Sequence, residues 1–167
     1  MTEQVPGIFK PALISGAIFG VAAALPILKY INVACCALTI ASGFVAAWMV
    51  SKVAREHGAR FDVGVGAKVG VLAGVFYGLF TTLASGLMFA VTGGTELREV
   101  ADMMSQQGAP EWVIEAFTLL PMVLVFQLIM GLIFGVIFAT VGGLIAGAVF
   151  KIEKPFVAAP PPPAPGA

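Results

Sequence analysis

The feature that most constrains this chain is a run of glycines at every fourth position, Gly66, Gly70, Gly74 and Gly78, whose register Thr82 and Gly86 continue. On an α-helix, residues i and i+4 share a face, so the run is a groove without side chains. In water such a helix is poor, because each interior Gly costs roughly 0.8–1 kcal/mol relative to Ala. In a bilayer the backbone must satisfy its hydrogen bonds internally, and small residues spaced by four let a second helix approach closely. The stripe predicts helix packed on helix inside a membrane. It names no reaction.

Composition points the same way. The 167 residues are 59% hydrophobic and 11% charged, and mean hydropathy is +1.00. Soluble domains carry about 25% charged residues. The length fits one domain. No basic, aromatic-rich stretch of the kind that binds nucleic acid occurs. The two cysteines, Cys35 and Cys36, are adjacent, which is neither a disulfide framework nor a zinc pattern.

Apolar runs and breaks divide the chain into four expected spans, about 9–28, 31–51, 63–92 and 117–150, in a transmembrane domain covering 1–155. Each span has its own small-residue ladder. The first has Ala12, Gly16, Gly20 and Ala24; the second Cys35, Thr39, Gly43, Ala47 and Ser51. The last has Gln127, Gly131, Gly135, Ala139, Gly143 and Gly147, and Pro121 is expected to kink its first turns. Trp48 is an interfacial anchor near the end of the second span. Lys52, Arg55, Glu56, His57, Arg60 and Asp62 form a compact charged loop before the third.

Residues 93–116 break the pattern. Gly93 and Gly94 end the third span, and Thr95 is placed to cap a helix with Glu96 and Glu99 in its first turn. Leu97, Val100, Ala101 and Met104 follow helical spacing, giving a short amphipathic helix on the membrane surface. Gly108 stops it, and Pro110 starts another segment with Trp112 at the interface. After Lys151 and Lys154, residues 156–167 are proline-rich and read as an extended cytoplasmic spacer.

Charge sets the orientation. With four spans, Lys10, Lys52, Arg55, Arg60, Lys68, Lys151 and Lys154 fall on one side, against Lys29 and Arg98 on the other. The positive-inside rule then places both termini in the cytoplasm and the acidic segment with Glu96, Glu99, Asp102, Glu111 and Glu115 outside.

Three stretches resemble a family of small four-span bacterial inner-membrane proteins of unknown function. They are the run from Val65 to Gly74 with the charged loop before it, the outer segment from Met103 to Glu115, and Gly131 to Gly135 running on to Lys151. The resemblance covers roughly residues 60–155 and implies a plasma-membrane protein of this size. It brings no catalytic residues with it.

Candidate chemistry is sparse. Transporters and pumps usually carry an ionisable residue at membrane depth. Here Lys68, about a turn and a half inside the third span, is the only candidate, and it lies about 200° around the helix from Gly66, where its long stem can reach the cytoplasmic interface. Thr39, Thr82 and Gln127 fall at similar depths on their ladders and form a candidate polar cluster, read either as interhelical hydrogen-bonding glue or as a small binding site. Cys35 and Cys36 read as small apolar residues and His57 as a solvated loop residue. The candidate partner or lipid surface is Leu97, Val100, Met104 and Trp112.

The sequence therefore predicts an all-α, polytopic membrane protein. Its four transmembrane helices pack through Gly16, Gly20, Gly43, Gly66, Gly70, Gly74, Gly78, Gly131, Gly135, Gly143 and Gly147, with a short amphipathic outer helix. No catalytic set, cofactor or metal site is expected. Two functions stay open. One is a non-enzymatic scaffold or accessory subunit in the lipid bilayer, within a homo-oligomer or a larger membrane complex; the other is a small transporter or channel with a polar site near Thr39, Thr82 and Gln127.

Overall fold

A computed structural model describes residues 7–25, 36–92 and 95–152, without the side chains of Glu96, Leu97, Ala116, Phe117, Thr118 and Leu120. The expected Pro-rich tail, Cys35, Lys29 and Lys154 lie outside the described residues. The helices among the described residues are, in order, α1 (Phe9–Ala23), α2 (Ala37–Glu56), α3 (Val63–Thr92), α4 (Thr95–Gln106), α5 (Glu111–Thr118) and α6 (Leu120–Val149). Among the described residues the only strand-like pairing is one antiparallel bridge, Phe61 with Ile152.

Among the described residues, three helices are long and apolar enough to cross a membrane: Ala37–Glu56, Val63–Thr92 and Pro121–Val149. The first expected span differs. Its helix α1 has 15 residues, about 22 Å at 1.5 Å per residue, against a hydrocarbon core of about 30 Å. Residues 26–28 of that expected span lie outside the described residues.

The other boundaries have local causes. Helix α2 begins after Cys36, whose φ of 47° is left-handed and so outside the helix. It runs on through Lys52, Arg55 and Glu56, which are helical rather than part of a loop. Helix α3 is capped by Asp62: its Oδ1 accepts the Val65 N–H at 3.0 Å, and its carbonyl accepts the Gly66 N–H at 2.9 Å. Thr95 does not cap α4 in this way. It lies inside α4, and its hydroxyl donates back to the Thr92 carbonyl at 3.4 Å.

Gly108, at φ 76°, ends the α4 turn. There the N–H groups of Gly108 and Ala109 donate to the carbonyls of Ser105 and Met104, each at 3.0 Å. Leu119 is extended and separates α5 from α6, so α6 starts later than expected. Pro121 falls in the first positions of α6, where its missing N–H and fixed φ suit a helix start. It begins the helix and does not kink it.

The most extensive helix contact joins α3 to α6. Gly66 faces Gly143, Gly70 faces Ala139, Gly74 faces Gly135 and Gly78 faces Gly131. As one number rises by four the other falls by four, so the two helices run antiparallel in register. Helix α1 follows α3 in the same direction: Gly16 rests on Ala73, Phe76 and Tyr77, and Gly20 on Tyr77, Phe80 and Thr81. Helix α2 packs on α6, with Gly43 against Ala139 and Gly142 against Ile40, and also touches α1 and α3.

The interior is built mostly from small side chains. Ala12, Ala46, Ala47, Ala54, Ala73, Ala139 and Ala146 are buried, whereas Val71, Val75, Leu79, Leu83, Leu87 and Val91 form an exposed row on α3. Phe126, Ile129, Ile133, Phe134 and Ile137 likewise face outward on α6. A helix whose large apolar residues point outward needs an apolar surrounding, because water would favour burying them.

Candidate functional site

The geometry along α3 and α6 starts from the glycines. A methyl group added at Gly70 would lie 2.5 Å from the Ala139 carbonyl oxygen, and one at Gly135 would lie 2.7 Å from that of Gly74. Gly66 and Gly143 face each other's carbonyls, and Gly147 meets Asp62 and Val63 where α3 begins. Backbone therefore meets backbone over about three turns, from Gly66 to Gly78. Toward the α4 end the seam relaxes: a methyl at Gly131 would find Gly78 at 3.5 Å, and one at Gly86 only the Leu124 side chain at 3.5 Å.

Polar side chains stitch the helices together beside this seam. Gln127 Nε2 donates to Ser85 Oγ at 2.7 Å, joining α6 to α3 where the seam has relaxed. Thr82 is half-buried, and its hydroxyl donates to the Gly78 carbonyl of its own helix at 2.9 Å. Thr39 is buried in the first turn of α2. Its neighbour Ile40 lies over Gly142, fifteen positions along α6 from Gln127, or about 22 Å. Thr39 thus belongs to a different part of the structure, and the three residues do not form one cluster. Counting from the start of the expected span puts Thr39 level with Gln127, whereas the start of α2 lies beside Ala139 and Gly142, well along α6.

Several interhelical residues escape a ladder reading. Ser15 Oγ donates to the Ser42 carbonyl at 2.7 Å between α1 and α2, and Thr81 Oγ1 donates to the Gly20 carbonyl at 3.1 Å between α3 and α1. Ser42's own hydroxyl is buried with no hydrogen-bond partner among the described residues. Gly142 faces α2 while its neighbour Gly143 faces α3. That doublet, two small residues about 100° apart on one helix, was the sequence cue that α6 packs on two partners.

The charged end is more ordered than a solvated loop. Phe61 is fully buried, and its N–H and carbonyl pair with Ile152 at 3.2 and 2.8 Å, tying the start of α3 to the end of α6. Arg60 Nε lies 3.1 Å from Asp62 Oδ2. His57 is exposed, with Nδ1 2.9 Å from the Val53 carbonyl. Trp48 carries Lys52 Nζ 3.8 Å above its ring, a cation–π contact within one turn of helix. Lys68 is exposed on α3, away from the glycine face.

At the opposite end, Met104 is half-buried as α4 folds against α5, while Val100, Met103 and Trp112 are exposed. The free apolar surface is therefore Val100, Met103 and Trp112. Met103 replaces Met104 in it, and the side chain of Leu97 lies outside the described residues. The chain matches no protein-family model, no curated protein and no solved structure.

Proposed function

We propose that this chain is an integral protein of a bacterial plasma membrane, with four membrane-embedded helices, α1, α2, α3 and α6, packed by their small-residue stripes. In this reading both termini are cytoplasmic, and the protein acts as a non-enzymatic scaffold or accessory subunit. The observation that carries the proposal is the inversion of side-chain size, with Gly, Ala and Ser between helices and Val, Leu, Ile and Phe around the outside. Lipid accepts that exterior, and close backbone contact supplies the packing that hydrophobic burial cannot supply in a bilayer.

The orientation draws support from the distribution of charge. Lys52, Arg55, Arg60 and Lys151 gather where Phe61 pairs with Ile152, and the acidic α4–α5 segment follows the other end of α3. Cysteine placed at Glu99 should be labelled from outside intact cells; labelling only after permeabilisation would reverse the orientation.

A scaffold suits the seam better than a conduit, because α3 and α6 leave no space between their backbones from Gly66 to Gly78. The second reading, a small transporter, draws on one observation: the Gln127–Ser85 pair lies where the seam loosens. The deciding experiment is the native mass of the protein extracted gently from its own membrane. Co-purification with a fixed set of other subunits supports the scaffold. A lone monomer or homo-oligomer in which Gln127→Leu abolishes solute flux supports transport instead.

A further inference from the structure

The α4–α5 segment is held by short tethers. Only residues 93 and 94 separate α3 from α4, and only Leu119 separates α5 from α6, so each tether spans less than about 11 Å. The ends it is tied to face outward: on α3, Leu83, Leu87 and Val91 rise from 60% to 76% exposed, and at the start of α6 Leu119 and Met122 are 54% and 57% exposed. Among the described residues, α4 and α5 pack on each other and lightly on α3 and α6, and touch neither α1 nor α2.

On α4, Glu99 and Asp102 lie on the side opposite the half-buried Ala101 and Met104, and the exposed Val100 and Met103 lie between these sides, Met103 next to Glu99. Trp112, at the start of α5, is 72% exposed. Such aromatic and apolar groups, held where long apolar helices end, fit the headgroup layer, where a ring keeps one edge wet and one buried. The local charge selects the lipid. Arg98 stands against Glu96, Glu99, Asp102, Glu111 and Glu115, so an anionic surface would repel the segment.

Resting on the membrane reading above, we propose that the α4–α5 segment docks on the lipid surface beside the bundle, with Val100, Met103 and Trp112 seated among zwitterionic headgroups. It is a lateral outrigger that fixes the depth of α3 and α6. A protein partner or bulk water over the same patch are the competing occupants.

The chain has two tryptophans, so each can be read alone. Full-length Trp48→Phe protein is reconstituted in phosphatidylcholine vesicles brominated either near the headgroup or near the chain end, and aqueous iodide is added separately. The proposal expects shallow bromines to cut Trp112 emission about twofold or more, deep bromines to do less, and iodide to do least. It also expects the shallow quenching to weaken when phosphatidylglycerol is added or when Val100 and Met103 are both changed to Glu. Strong iodide quenching with none from bromolipid, or quenching indifferent to both changes, overturns it. Trp112→Phe protein separates the two ideas. If bromolipid quenches Trp48 but not Trp112, the docking fails and the membrane reading stands. If it quenches neither and alkaline carbonate strips the protein from the vesicles, the membrane reading itself fails.

Discussion

Gly74 and Gly135 face each other across α3 and α6 so closely that neither has room for a methyl group; one built on Gly135 would lie 2.7 Å from the Gly74 carbonyl oxygen. Both obstructing groups are backbone, which cannot rotate away, so the helices would have to separate. Ala at Gly74, Gly70 or Gly66 should therefore destabilise the fold by about 1–3 kcal/mol, the usual range for overpacking. Ala at Gly131 or Gly86 meets neighbours at 3.5 Å or beyond, and gains the helix preference of Ala, about 0.8–1 kcal/mol. Unfolding of the five single variants in mild detergent checks this. Equal gains at all five sites would mean that glycine matters only through helix propensity.

Asp62 does two jobs at the start of α3, capping the Val65 N–H and meeting Arg60. The cap is the larger contribution, since ion pairs with exposed members add only about 0–1 kcal/mol. Asp62→Ala should lower stability by about 1 kcal/mol, Asp62→Asn should restore most of it, and Arg60→Ala should cost little. Denaturant titration of the three variants ranks them. If Arg60→Ala proved as costly as Asp62→Ala, the ion pair would be the dominant contact.

Much of this architecture is legible in the sequence because a spacing of four is a direct readout of a helix face. The helix expected over 63–92 runs from Val63 to Thr92, and Gly16 and Gly20 of α1, Gly66, Gly70, Gly74 and Gly78 of α3 and Gly131, Gly135 and Gly143 of α6 lie where these helices touch. What periodicity does not carry is the partner of each face. Gly142 and Gly143 are neighbours in sequence yet serve α2 and α3 separately. Ser85 has no ladder position, yet it is Ser85, one turn from Thr82, that takes Gln127. Phe61 stands between Arg60 and Asp62 and reads as part of a charged loop. Its burial depends on Ile152, more than ninety residues away, and no local pattern records a pairing at that distance.

The Gln127–Ser85 hydrogen bond offers a direct test of polar glue in this protein. Both residues are half-buried between apolar helices. Interhelical hydrogen bonds of this kind average about 0.6 kcal/mol in membranes, since the separated helices find other partners. A double-mutant cycle with Gln127→Leu and Ser85→Ala should give a coupling energy of that size, and a cycle pairing Gln127→Leu with Thr82→Val should give close to none. Strong coupling to Thr82 would place the amide on the other hydroxyl.

Among the described residues Phe61 is the largest fully buried side chain, and its backbone also closes the bridge to Ile152. It belongs to a buried cluster with Val50 and Ala54 of α2, Ala59 in the turn after it and Ala146 of α6, where the ends of three helices meet. Phe61→Ala removes the ring but leaves both bridge hydrogen bonds available, and should cost about 3–5 kcal/mol. Phe61→Leu keeps most of the volume and should cost much less. Ile152→Pro removes the N–H that donates to Phe61 while leaving the ring in place, which separates the backbone bridge from the packing. Proteolysis at the chain segment after α6, followed alongside thermal unfolding, distinguishes the two contributions. Ile152→Pro should loosen that segment with a small drop in melting temperature, and Phe61→Ala should lower the melting temperature of the whole fold. If Phe61→Ala only exposed the segment after α6 and left the melting temperature unchanged, the ring would be a local clasp and not part of the core.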